Sequence, residues 1–324
     1  MSVSALEWIV TLCLTSAILG FDVVVIARRP HEPTMSRCAL ALSGYVALAA
    51  VFGGWIWLCH GQQFGLQFFA GWLTEYSLSI DNLFMFIVIM ANFNVPKLYQ
   101  LRALFFGVVI ALVLRGALIA LGTAAIQRFS WVFYVFGAFL LYTAVRLTRS
   151  RGHGQAEDNA VTRFARQRLN TVQNWDGMKL FVRAGSRRVL TPIATVILAL
   201  GATDLVFALD SIPAIYGLTR QAYLVFAANI FALMGMRQLY FLLGGLLGRL
   251  VYLSKGLAFV LFFIGIKLVL QALHENRLPF VNGGAPVDVP EISTVLSLSV
   301  IVGTLAVTAV ASLYASRVHH ADAR

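Results

Sequence analysis

Nine long apolar runs constrain this chain more than any other feature of its sequence. Each run has 19 to 28 residues, and about 20 helical residues are enough to cross the hydrocarbon core of a bilayer. Hydrophobic residues make up 59% of the 324 positions and charged residues 12%, whereas a soluble domain carries about 25% charged residues. The sequence therefore predicts an all-α polytopic membrane protein with about nine transmembrane helices, at 5–27, 39–59, 66–91, 101–122, 129–147, 189–216, 222–243, 251–273 and 292–315.

The basic residues are distributed unevenly between the two sides of this predicted bundle. With the N-terminus outside, nineteen of the 25 Lys and Arg residues fall on the inner side and three on the outer side. Inner loops of membrane proteins are rich in Lys and Arg, so we predict an outer N-terminus and a cytoplasmic C-terminus. The net charge of +11 then reflects topology and contact with the lipid bilayer, and no nucleic-acid partner is expected. The basic loop 149–188 is interpreted as a cytoplasmic linker near anionic lipid, or as a docking or regulatory loop.

Two pairs of carboxylates lie inside apolar runs. The third run contains EYSLSIDN at 75–82, and the sixth contains a second pair of acids with the same spacing of six residues. Acids within a membrane span are costly, on the order of 2.5–3.5 kcal/mol each on insertion scales, and they usually mark an ion path, a proton relay or a buried ion pair. The candidate site consists of these acids and the polar residue after each pair: Glu75, Asp81, Asn82, Asp204, Asp210 and Ser211.

Further polar landmarks recur in the same order. Arg115 lies in the fourth run and Arg237 in the seventh, each followed by a glycine seven residues later, and a further base follows each, Arg146 and Lys267. An odd number of spans per unit inverts the second copy, an architecture common among secondary transporters. We predict an inverted three-plus-three-helix repeat of spans 3–5 and 6–8. The chain then divides into two N-terminal helices (1–65), the first repeat (66–148), the basic loop (149–188), the second repeat (189–274), an outer loop (275–291), and a last helix with its tail (292–324).

The acid pairs predict two carboxylate layers near the bilayer midplane. If spans three and six pack antiparallel, Glu75 lies level with Asp210 in an outer layer, and Asp81 with Asp204 in an inner layer. Six residues advance a helix by about 9 Å and 240°, so one unbroken helical face cannot present both acids of a pair. Either the helices break locally or the two layers face different sides of the path, and Pro213 predicts a kink that frees the carbonyl four residues earlier.

The oxygen donors of the candidate site suit a hard divalent cation. Carboxylates, an amide, a hydroxyl and a freed carbonyl favour Mn²⁺, Mg²⁺ or Ca²⁺, and paired carboxylates also share protons. The cysteines Cys13, Cys38 and Cys59 form no CxxC pair, and no Walker-type phosphate-binding loop is present. No hydrolytic or redox constellation is visible, so we predict no enzyme and no resident cofactor.

The buried charges also have structural interpretations. The four acids could simply pair with Arg115, Arg237 and Lys267, and supporting ion pairs are the favoured role of the two arginines. Asp22, at the inner end of the first span, is either a solvated acid at a helix end or a ligand in an inner vestibule.

At these motifs the chain resembles the TerC family of integral membrane proteins, and the likeness extends over about residues 19–306. The resemblance implies a bacterial inner-membrane protein of the lysine-exporter-like group that exports metal ions, chiefly manganese, with the motif acids lining the ion path. It also implies links to tellurite and alkaline-pH stress. Gly201 stands where many relatives carry an acid, which implies one ligand fewer. The matching stretches are EYSLSIDNLF at 75–84, VP at 95–96, LRG at 114–116, TD at 203–204, FALDSIPAI at 207–215, NIFAL at 229–233 and RQLYF at 237–241.

Together, the acids and the resemblance predict a secondary transporter that exports Mn²⁺ from the cytoplasm in exchange for protons, by alternating access. Its partners would be a divalent metal ion, protons and the lipid bilayer. Two alternatives remain open, namely a membrane scaffold or stress-resistance component without transport, and an exporter of another small solute.

Overall fold

The computed structural model describes residues 1, 3–28, 34–129, 131–149, 181–184, 187–244, 252–276, 282 and 285–321, without the side chains of Asp22 and Asp81 among others. Ten helices and one hairpin lie in these ranges. In chain order they are α1 Ala5–Arg28, α2 Met35–His60, α3 Gln62–Asn92, α4 Lys97–Arg128, α5 Val132–Arg149, β1 Phe181–Ala184, β2 Arg187–Leu190, α6 Pro192–Tyr216, α7 Ala222–Leu233, α8 Met236–Gly244, α9 Leu253–His274 and α10 Thr294–Ala321.

The helical membrane class is confirmed. Within the described residues, eight helical spans are long and apolar enough to cross a membrane, and they correspond to the second through ninth predicted runs. The apolar segment described in α1, Ala5–Ile18, is shorter, so the first predicted span stays a prediction. The chain is an integral, multi-pass membrane protein.

The seventh apolar run is divided by a break that its composition did not predict. Helix α7 ends where Met234 adopts an extended backbone, and Gly235 follows with a φ of +87°. Left-handed backbone favours glycine, and a Cβ at this position would lie 3.0 Å from Leu42 Cδ1 in α2. By contrast, α6 continues through Pro213 to Tyr216. The helix is therefore continuous at Pro213, and the kink expected there stays a prediction.

Part of the predicted basic loop forms a short hairpin. Strands β1 and β2 pair antiparallel, with Phe181 opposite Leu190 and Ala184 opposite Arg187, and the interpretation of the loop as a linker stays a prediction. Positions 150–180 lie outside the described residues. The hairpin leads directly into α6, where the hydroxyl of Thr191 accepts a hydrogen bond from the backbone N–H of Ala194 at 3.4 Å and caps the helix.

Helix α3 lies at the centre of the bundle. It packs against α2, α6, α7 and α10, while α4 packs against α6 and α7, and α5 packs against α9. In the predicted repeat, α6 is the counterpart of α3 and α7 is the counterpart of α4. The α3–α7 contact and the α4–α6 contact would then be related by the pseudo-two-fold symmetry of the repeat. The inverted relation and the orientation of the termini stay predictions. This packing brings the acids of α3 and α6 next to the arginine of α4.

The outer surface of the bundle is apolar. Leu40, Leu58, Val113, Tyr142 and Tyr314 are among the large side chains that are exposed on α2, α4, α5 and α10. Lipid tails are as apolar as these side chains, so such a surface is stable in a bilayer and would not be in water.

Candidate functional site

Four helices meet at a single buried arginine. Glu75 comes from α3, Arg115 from α4, Asp204 from α6 and Asn229 from α7, and each of these residues is at most 1% exposed. We call these four residues the arginine cluster. Its members are separated by 25 to 154 residues in the chain, so only the packing of the helices brings them together.

The guanidinium of Arg115 contacts both acids. Its Nε donates to Asp204 Oδ2 at 3.1 Å and its Nη2 donates to Asp204 Oδ1 at 3.0 Å, a bidentate arrangement that is stronger and more directional than a single bond. Its Nη1 forms an ion pair with Glu75 Oε1. The acids of the third and sixth spans therefore share one counter-ion.

Two amides complete the surroundings of the guanidinium. Arg115 Nη1 also donates to Asn229 Oδ1 at 3.0 Å. In the amide orientation that satisfies both of its polar atoms, Asn82 accepts from Arg115 Nη2 at 3.3 Å and donates to the carbonyl of Leu78 at 3.1 Å. The guanidinium thus lies between two charged acceptors and two neutral ones.

The cluster holds more acid than base. With both carboxylates ionised, its three charged groups carry a net charge of −1, in a place where neither acid reaches solvent. A buried charge is costly unless it is paired and hydrogen-bonded. Asp204 meets that condition, but neither oxygen of Glu75 has a hydrogen-bond partner of normal geometry among the described atoms. A proton or a cation would neutralise the remaining charge.

Further polar atoms on the same helices are buried without a hydrogen-bond partner among the described atoms. An unpartnered buried polar atom costs about 1–3 kcal/mol, so a group of them indicates a polar interior in this part of the bundle. They are Thr74 Oγ1 and Ser79 Oγ on α3, Thr203 Oγ1 and Ser211 Oγ on α6, and Asn229 Nδ2 on α7.

The predicted carboxylate layers differ from the observed arrangement. Glu75 shares Arg115 with Asp204, the first acid of the pair on α6, and not with Asp210. Asp210 lies six residues further along α6, about 9 Å away, where it accepts a hydrogen bond from Thr143 of α5 at 3.0 Å. Asp81 lies in α3, but its side chain is outside the described residues.

The remaining predicted charges lie elsewhere. Lys267 donates to Ser297 of α10 at 2.9 Å, a hydrogen bond to a neutral hydroxyl. Arg237 follows the break at Gly235 and, in the favourable orientation of the Gln238 amide, donates to that residue at 3.1 Å. Asp22 belongs to α1, and its side chain lies outside the described part of the chain.

A polar cavity of about 830 Å³ opens where α3 and α10 begin and where α6 and α9 end. In the predicted topology this is the outer side of the membrane. Its lining includes Gln67, Thr219, Arg220, Lys267, Gln271 and Glu275.

A packed layer separates this cavity from the arginine cluster. Gln67, Gly71 and Glu75 lie on one face of α3 at a spacing of four residues, so the acid is about 12 Å below Gln67. A Cβ at Gly71 would lie 3.4 Å from Ile215 and 3.5 Å from Ala228. Helices α6 and α7 therefore close over α3 at this level, and the acids are occluded from the cavity.

Of the predicted metal ligands, Glu75, Asn82 and Asp204 meet at Arg115, and their role as metal ligands stays a prediction. No group of three or more His, Cys, Asp or Glu residues that could hold a metal ion is found among the described side chains, and two acids with one arginine form the centre instead. Sequence reasoning missed Asn229 and Thr143. The signal for Asn229 was present, because an amide in an apolar run needs a polar partner.

Comparison with known proteins gives the family. The model of the integral membrane protein TerC family matches residues 60–320. An uncharacterized membrane protein of Mycobacterium tuberculosis, Rv2723, is 44% identical over 322 residues, covering 98% of this chain and 81% of the relative. A second uncharacterized membrane protein, from Myxococcus xanthus, is 38% identical over 311 residues, covering 96% and 92%.

A third relative carries a functional name. A protein of Escherichia coli K12, named as a candidate membrane-bound redox modulator, Alx, is 33% identical over 316 residues, covering 94% of both chains. No solved structure matches the chain. The match to the family model and the extent of these similarities show that the chain belongs to the TerC family of integral membrane proteins.

Proposed function

We propose that this protein is a secondary transporter that exports a divalent metal ion across the bacterial inner membrane in exchange for protons. Mn²⁺ is the favoured substrate. The observation that carries the proposal is the pairing of two buried acids, Glu75 and Asp204, across one guanidinium. With both carboxylates ionised, this centre carries a net charge of −1 in a place that water does not reach. A dehydrated cation or a proton would bind there with a large electrostatic gain.

Neighbouring oxygen atoms support a hard cation over a soft one. Ser211 and Thr203 present buried hydroxyls without a partner among the described atoms, and Asn82 lies beside the guanidinium. Mn²⁺ and Mg²⁺ favour ligands of this type. We propose that Asp81 and Asp210 extend the path on the two sides of the cluster, about 9 Å from it along α3 and α6.

Export requires the occluded acids to be exposed to each side in turn. The layer formed by Gly71, Ile215 and Ala228 separates the acids from the outer cavity. We propose that rocking of α3–α5 against α6–α9 opens this layer, as in other transporters with inverted repeats. For the return step, one proton on Glu75 together with the guanidinium of Arg115 on Asp204 would leave the empty site without net charge.

Purified protein in liposomes tests the proposal. We expect the wild type to carry Mn²⁺ down its gradient with counter-movement of protons, measured with an internal metal-sensitive dye and a pH dye. Glu75→Gln and Asp204→Asn should lower the Mn²⁺ flux by about tenfold or more, while the exposed control Asp288→Asn should not. A wild type that carries no Mn²⁺ would contradict the proposal and favour a scaffold role.

We do not propose that this chain shares, through thiol chemistry, the redox role named for the Escherichia coli relative. Cys13, Cys38 and Cys59 are the only cysteines in the sequence, and all three are free thiols. We therefore propose that any effect on redox balance is indirect, through the metal ion that is exported.

A further inference from the structure

We infer that Arg115 is a tethered counter-ion, whose guanidinium occupies the cation site between transport events and leaves it when the metal ion binds. The inference rests on the proposed function and specifies how the same site works. It assigns Arg115 a moving role in place of a fixed support.

The guanidinium already occupies carboxylate oxygens that a metal ion would use. Arg115 holds both oxygens of Asp204 and one oxygen of Glu75. Glu75 Oε2 has no hydrogen-bond partner among the described atoms, but a metal ion bound between the two acids would also need an oxygen of Asp204. The guanidinium and the metal ion therefore compete for Asp204 and for Glu75 Oε1.

A metal ion changes the charge of the cluster. With the guanidinium in place and both carboxylates ionised, the cluster has a net charge of −1. A divalent cation between the two carboxylates neutralises both of them, and a guanidinium that stayed in contact would add an excess positive charge to a buried site. Repulsion between like charges is strong where the local dielectric is low. Binding of the metal ion thus favours withdrawal of Arg115 from the acids.

Two neutral acceptors lie beside the guanidinium and can hold it when it leaves the acids. Asn229 Oδ1 already accepts from Arg115 Nη1 at 3.0 Å, and the Asn82 amide lies 3.3 Å from Nη2. These neutral acceptors remain available to Arg115 when the carboxylates coordinate the metal ion. Since a guanidinium carries five N–H donors in a planar fork, it can stay bound to amides while it releases acids.

A tethered counter-ion has a consequence that a fixed support does not have. Because its guanidinium competes for the site, removing it should tighten metal binding, and it should slow release because nothing then displaces the metal ion. A fixed support would act in the opposite direction, since its loss would let the two acids move apart and weaken metal binding.

The experiment compares Arg115→Gln with the exposed control Arg128→Gln, both as full-length protein. Mn²⁺ affinity is measured by titration calorimetry in detergent, and Mn²⁺ flux is measured in liposomes. We expect Arg115→Gln to bind Mn²⁺ about tenfold or more tightly and to carry it more slowly, while the control behaves as the wild type. Unchanged or weaker binding in a folded Arg115→Gln protein would overturn the inference.

A second variant covers the case in which Arg115→Gln does not fold. Asn229→Leu keeps the size of the side chain and suits an apolar helix, but removes one of the two neutral acceptors. The guanidinium should then stay longer on the acids, and Mn²⁺ binding should weaken several-fold; wild-type affinity in this variant would overturn the inference. If the wild type itself neither binds nor carries Mn²⁺, the proposed function fails as well. If the wild type carries Mn²⁺ and both variants bind it as the wild type does, only the inference fails.

Discussion

Arg115 on α4 and Asp204 on α6 are joined by two parallel hydrogen bonds, from Nε at 3.1 Å and from Nη2 at 3.0 Å. Lysine keeps the charge but has no planar fork with which to reproduce this pair. We therefore expect Arg115→Lys to lower the free energy of unfolding by about 1–3 kcal/mol, seen as a lower melting temperature in detergent. Arg128→Lys, at an exposed end of the same helix, is the control, and equal melting temperatures for the two variants would contradict the prediction.

At Asp210 a substitution can remove the negative charge and keep the hydrogen bond of the side chain. Its Oδ1 accepts a hydrogen bond from Thr143 Oγ1 at 3.0 Å, and the amide oxygen of asparagine can accept the same bond. Asp210→Asn should therefore keep the wild-type melting temperature but lower Mn²⁺ flux in liposomes by about tenfold. Thr143→Val removes the bond and keeps the charge, so it should lower the flux less. Wild-type flux in Asp210→Asn would remove this acid from the proposed path.

The transmembrane helices could be predicted from the sequence because their physical cause is local. A run of about 20 apolar residues in lipid must satisfy its own backbone, and only a helix does so within one segment. For this reason the predicted runs 39–59 and 66–91 reappear as Met35–His60 and Gln62–Asn92 with small changes at the ends. The identity of the buried acids is also local information, since Glu75 and Asp204 stand out in apolar surroundings.

The partners of those acids could not be predicted, because they depend on how helices rotate and cross. Spacing alone allowed Glu75 to lie level with Asp210, whereas the packing of α3 and α6 places it beside Asp204 and Arg115. The break at Gly235 has a tertiary origin as well, since a side chain there would contact Leu42 of another helix. Apolar composition carries no information on either point.

Tyr216 anchors the end of α6 to α4. The hydroxyl of this buried residue donates to the carbonyl of Ile119 at 2.7 Å and lies 2.6 Å from Thr123 Oγ1. Tyr216→Phe removes both bonds without changing the ring, so we expect a loss of about 1–2 kcal/mol in the free energy of unfolding. Thermal unfolding in detergent measures it, with Tyr142→Phe as the control because that ring is 63% exposed. A loss of the same size in the control would show that the two bonds do not anchor α6.

Helices α5 and α9 approach closely because both carry glycine at the contact. A Cβ on Gly137 would lie 2.7 Å from Val269 Cγ2 and 3.1 Å from the carbonyl oxygen of Gly265. The Gly265 carbonyl belongs to the backbone of α9, which cannot move aside as the end of a flexible side chain would. Gly137→Ala should therefore lower the free energy of unfolding by about 1–3 kcal/mol. At Gly303 in α10 nothing lies within 4 Å of an added Cβ, so Gly303→Ala should leave stability unchanged or raise it by up to about 1 kcal/mol through helix propensity. The two alanines are therefore expected to shift the melting temperature in different directions, and a stable Gly137→Ala protein would show that α5 and α9 can separate without cost.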